Sequence, residues 1–132
     1  MEARFDAIGL LVNDLDVSIA FYRHLGLAFS DPDGGHAEAT VAGGIRFMID
    51  DIEEMRKSDP DWMPPSAGDQ RVAIVFSCES PADVDALYEG LTARGVAGHK
   101  TPWDAFWGQR CAQVKDPDGH VVDLFAPLEP GE

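Results

Sequence analysis

Positive charge is scarce in this chain. Ten Lys and Arg stand against 24 Asp and Glu in 132 residues, a formal net charge of −14, and the field of such a molecule repels polyanions. Nucleic acid and anionic membrane surfaces are thereby excluded as partners. Long apolar runs are missing too: the first residues, MEARFDAIGLL, are acidic and lead into no extended apolar stretch. Neither a membrane span nor a signal peptide is expected, and the cytoplasm is the expected compartment. Cysteine is almost absent. Cys78 and Cys111 share no CxxC spacing, which argues against a disulfide framework or a cysteine-bound zinc and leaves two ordinary buried thiols.

What the chain does have is strong turn chemistry. Residues 101–125, TPWDAFWGQRCAQVKDPDGHVVDLF, read as two strands joined at Asp116-Pro117-Asp118-Gly119. Proline presets φ at the second turn position, Asp118 tolerates the third, and Gly119 supplies the positive φ that re-enters a strand. Alternation places Arg110, Ala112 and Val114 on one face and Gln109, Cys111 and Gln113 on the other. After the turn, Val122 and Leu124 oppose Val121, Asp123 and Phe125. Asp123 is thus a carboxylate on an apolar strand face, near Trp103, Phe106 and Trp107. The spacing leaves open which of Gln109 and Arg110 faces a ligand.

The rest of the chain repeats one pattern, and a single domain is expected over residues 1–132. Residues 5–12 read as a strand. Asn13-Asp14 offers a helix cap, Ser18, Phe21, Tyr22 and Leu25 make an apolar stripe, and Gly26 ends the helix. Residues 27–30, 37–41 and 45–49 read as strands, the last two closing around Gly43-Gly44, so residues 1–50 form a βαβββ unit. Residues 51–69 read as a connection: a helical turn or two, then a proline-rich stretch carrying Trp62 and Met63. The pattern restarts over 70–126. Residues 71–76 are strand-like, Ser80 and Pro81 open a helix striped by Val84, Leu87, Tyr88 and Leu91, and strands follow at 96–98, 111–114 and 121–125. Ala7 aligns with Arg71 at 64 residues and Tyr22 with Tyr88 at 66, which places a two-residue insertion before the second helix.

Val12-Asn13-Asp14-Leu15, Phe21-Tyr22, Leu25-Gly26-Leu27, Trp107-Gly108-Gln109-Arg110 and the DPDG turn, in that order, resemble the vicinal oxygen chelate superfamily of glyoxalases, ring-cleaving dioxygenases and bleomycin-resistance proteins. The resemblance implies an α+β fold in which two tandem βαβββ units form a curled mixed-sheet cup that holds the ligand. It also implies metal ligands on the first and last strand of each unit. Those positions fall at Ala7, Met48, Arg71 and Asp123, of which only the last suits a hard divalent cation. His24, His36, His99 and His120 match none of them. The resemblance is therefore nearest to the metal-free binding proteins, with no cofactor.

The expected function is to bind a small, largely aromatic molecule, a drug or natural product, through Trp62, Arg71, Trp103, Phe106, Trp107, Asp123 and Met48, with aromatic faces suiting a flat, conjugated or cationic ligand. Arg71 and Asp123 are expected to form a charged pair. Two alternatives remain at this level: a lyase, isomerase or dioxygenase of the same superfamily, metal-dependent or using Asp123 as base, and an interaction domain. Sheet edges in need of partners lead to the expectation of a homodimer.

Overall fold

The computed structural model describes residues 2–65 and 70–129, and its internal contacts divide the chain into two compact units, Met1–Pro64 and Pro65–Glu132. In the first unit, strand β1 (Ala7–Val12) leads into helix α1 (Leu15–His24), then strands β2 (His36–Thr40) and β3 (Arg46–Asp51) and a short helix α2 (Ile52–Ser58). Asp14 caps α1 by accepting from the Val17 N–H at 3.2 Å, and Arg23 and His24 sit in its last turn where the helix dipole favours cations. The strand order is β1-β3-β2, with β1 parallel and β2 antiparallel to β3. Val12, Ala37, Ala39, Phe47 and Ile49 are buried together with Ile19, Phe21 and Tyr22 of α1, and the Tyr22 and Phe47 rings lie 5.2 Å apart.

Residues 27–30 do not form the strand expected of them. Ser30 N–H donates to Glu38 C=O at 3.0 Å, and Pro32 has no N–H with which to extend a ladder. The segment is anchored by a side chain instead: Phe29 is buried and meets Phe47 edge to face at 5.9 Å. The first sheet therefore has three strands.

The second unit runs β4 (Ile74–Ser77), α3 (Pro81–Ala93), β5 (Gly98–Ala105), β6 (Gln109–Lys115) and β7 (Val121–Pro127), in the order β4-β7-β6-β5. Ser80 caps α3, its Oγ accepting from Asp83 N–H at 3.2 Å with Pro81 at the first helical position. Helix α3 packs on β5, β6 and β7, burying Val84 and Leu91 with Ala112, Val114, Val122, Leu124 and Ala126. Two strands differ from expectation. β5 runs to Ala105, well past residue 98, and carries Trp103 into the sheet. β4 begins only at Ile74, because the Gln70 amide occupies the pairing groups at the start of β7: its Nε2 donates to Val121 C=O at 3.0 Å and its Oε1 accepts from Val121 N–H at 2.7 Å.

The architecture is thus α+β, two mixed sheets of three and four strands with three helices, neither sheet closing into a barrel. The DPDG turn forms as its residues require, with Gly119 at φ 88°. Its first aspartate does more than occupy a turn position. Asp116 is 5 % exposed, and its Oδ1 accepts from the N–H groups of Asp118 and His120, both at 2.9 Å.

Candidate ligand-binding face

Strand alternation gives the second sheet two chemically distinct faces. α3 covers the face with Ala112, Val114, Val122 and Leu124; the opposite face carries Val75, Trp103, Cys111, Gln113, Asp123 and Phe125, set by the register Val75↔Asp123↔Gln113 and Phe125↔Cys111↔Trp103. Asp123 does not pair with Arg71. Its Oδ1 accepts from Gln113 Nε2 at 2.7 Å, whereas Arg71 precedes β4, is exposed, and carries no ion pair among the described residues. The repeat register in the sequence places Arg71 on the strand, opposite the last one; the structure puts Val75 there.

Trp103 is half-buried on this face, with Lys100 Nζ 3.8 Å from its ring centroid. Phe106 and Trp107 stay with each other at the tip of the β5–β6 hairpin, edge to face at 4.9 Å; Phe106 is 97 % exposed, and Trp107 Nε1 donates to Gln109 Oε1 at 2.9 Å. Arg110 lies on the helix side, forked between Asp85 of α3 (3.0 Å) and Asp104 of β5 (3.1 Å), so Gln109 belongs to the open face. Burial pushes the Cys111 thiol up, and Asp123 nearby adds to the shift; it is a protonated, unreactive thiol.

In the first unit, Met48 sits on β3 opposite Gly9 and Glu38. Its face carries a chain of charges that sequence reasoning missed: Asp6–Arg46 (2.5 Å), Arg46–Glu38 (2.9 Å), Glu38–His36 (2.8 Å) and His36–Asp50 (2.7 Å). Both ring nitrogens of His36 meet carboxylate oxygens, which only accept, so the imidazolium form is the one that donates to both. Hydrogen bonds to Glu38 and then Asp50 raise its pKa above the ordinary histidine value. Trp62 follows α2, partly buried, its N–H donating to Asp59 C=O at 3.1 Å.

The metal chemistry that the fold implies does not fit either unit. Met48 faces Gly9 and Asp123 faces Val75, so each pair offers at most one hard donor, and Asp123 already serves Gln113. His36 has both nitrogens engaged. Among the described residues no three His, Cys, Asp or Glu side chains are grouped to hold an ion. Gly9 and Val75 are 66 residues apart, as are Tyr22 and Tyr88, which moves the insertion between the repeats ahead of β4 rather than ahead of the second helix.

A family model described as Glyoxalase/Bleomycin resistance protein/Dioxygenase superfamily matches residues 4–124. The chain belongs to this superfamily. A protein of Mycolicibacterium smegmatis described as uncharacterized is 31 % identical over 120 residues, covering 91 % of this chain and 90 % of its own. Among solved structures, a glyoxalase/bleomycin resistance protein/dioxygenase from Nocardioides is 27 % identical, with a TM-score of 0.73 over 100 % of this chain and 88 % of its own. A lactoylglutathione lyase from Agrobacterium tumefaciens shares the fold at 20 % identity and a TM-score of 0.67, over 95 % of this chain and 94 % of its own.

Proposed function

We propose that this protein is a non-catalytic, metal-free binder of a small aromatic molecule, which docks on the open face of the four-stranded sheet. The observation that carries this reading is Trp103, an indole held half-buried on a strand face that no helix among the described residues of its own unit covers. Its neighbours refine the ligand class. Because the Lys100 ammonium already stands over the ring, an electron-rich or acidic aromatic suits the site better than a cationic one. Asp123, fixed through Oδ1 by Gln113, offers Oδ2 to a hydroxyl or N–H on the ligand. Phe106 and Trp107, exposed at the hairpin tip, extend the aromatic surface. A homodimer belongs to the same proposal, supported by the unpaired outer edges of each sheet taken by itself.

Titration with 1-naphthol and quinoline, followed by tryptophan fluorescence, tests the site. Saturable quenching by 1-naphthol that weakens at least fivefold in Trp103→Leu is expected, with quinolinium at low pH binding less well. Saturable binding unchanged in Trp103→Leu, or none by either probe, contradicts the reading.

A further inference from the structure

The second unit contains a cavity of about 680 Å³ beside the DPDG turn, with a described lining that does not include Trp103. Its lining gathers Arg71, His99, Lys115 and His120, with Asp118 as the one carboxylate among the described lining residues and Val121 among the apolar groups. In a chain with 24 acidic and ten basic residues, the described lining residues carry more Lys and Arg than Asp and Glu. Arg23, Arg46, Arg56, Lys57 and Arg110 are each paired with a carboxylate. Arg71 and Lys115 carry no ion pair or side-chain hydrogen bond among the described residues.

The position of Arg71 is built rather than incidental. Gln70 fastens its neighbours to the sheet: besides its two bonds to Val121, its Nε2 donates to Val72 C=O at 2.6 Å. Lys115 stands directly across the β6–β7 ladder from Val121. One glutamine thus fixes the backbone on either side of Arg71 against the strand that faces Lys115. A guanidinium presents a planar fork and an ammonium a compact charge, and together they match the oxygens of one tetrahedral or carboxylate anion. His99 and His120 add imidazoles that donate in either protonation state.

We propose that this cavity binds a small oxyanion, the phosphate or carboxylate group of a metabolite, through Arg71 and Lys115, with Gln70 as a positioning residue. The proposal is independent of the aromatic site. Its test is calorimetric titration of the full chain at low ionic strength with inorganic pyrophosphate in one arm and succinate in the other. The expected result is saturable one-to-one binding in at least one arm, which distinguishes phosphate from carboxylate. That binding falls at least tenfold in Arg71→Gln/Lys115→Gln and less than twofold in Arg56→Gln/Lys57→Gln, which removes the same charge from α2. Gln70→Leu, with both cations retained, is expected to weaken binding several-fold. Absence of saturable binding in both arms, or an equal loss in the α2 control, overturns the proposal.

Discussion

At the scale of single residues, function and stability meet in side chains whose partners are distant in sequence. His36 illustrates the electrostatics. Its folded pKa is raised, so the stability it contributes is fully present below the unfolded value of 6.5 and is lost as pH climbs through the folded value. Glu38 runs the opposite way: hydrogen bonding from His36 lowers its pKa, so its contribution is present above 4.5 and is lost as pH falls through its folded value. The tie is therefore fullest between about pH 4.5 and 6.5, and with side chains about a third exposed it is a small effect. Proton NMR is expected to find His36 titrating at higher pH in the native protein than in Glu38→Gln; equal titration in the two would contradict the geometry. Asp116 illustrates burial. Asp116→Ala strands two N–H groups beneath a tight turn, a loss of about 1–3 kcal/mol, whereas Asp116→Asn retains one acceptor and is expected to lose less in urea denaturation; equal stability of the alanine variant and the native protein would refute this. The turn itself was legible from DPDG, because φ preferences are local. The role of the Asp116 carboxylate was not, since four residues of turn say nothing of what buries their first side chain. The His36 network was available in principle: alternation on the hairpin places His36, Glu38, Arg46 and Asp50 on one face.

At the scale of elements, caps and stripes were readable and pairing partners were not. α1 and α3 begin and end where their caps and glycines dictate. Ser80→Ala is accordingly expected to cost about 1 kcal/mol, seen as a lowered midpoint of thermal unfolding; no shift would mean that Pro81 and the packing of α3 suffice. Strand extents depend on what lies alongside. β4 is short because a glutamine side chain substitutes for backbone at one end of its neighbour, and β5 is long because β6 pairs with it up to Ala105. Those two differences changed the candidate site. The first removed Arg71 from the strand and so from Asp123, which bonds Gln113 across the β6–β7 ladder; the second made Trp103 a fixed platform within the sheet. Phe106 and Trp107, counted with Trp103 by sequence proximity, remain at the hairpin tip.

At the scale of the whole molecule, the ordered set of motifs made the superfamily legible although no single motif did, because each marks a strand end, helix stripe or turn that the fold reuses in both halves. The proposed homodimer is checked by sedimentation at micromolar concentration: a species of twice the 14.3 kDa chain mass is expected, and a monomer alone would exclude it. The superfamily uses one scaffold for different chemistries, so the decisive feature is the donor set rather than the fold. Here the paired positions hold Gly9 with Met48 and Val75 with Asp123, a set poor in ligands for a divalent cation. Calorimetric titration of the purified protein with Zn²⁺, Mn²⁺, Ni²⁺ and Fe²⁺, backed by elemental analysis, tests this most directly. No stoichiometric binding of any of the four is expected; one equivalent bound with micromolar or tighter affinity, and weakened in Asp123→Asn, would overturn the metal-free reading.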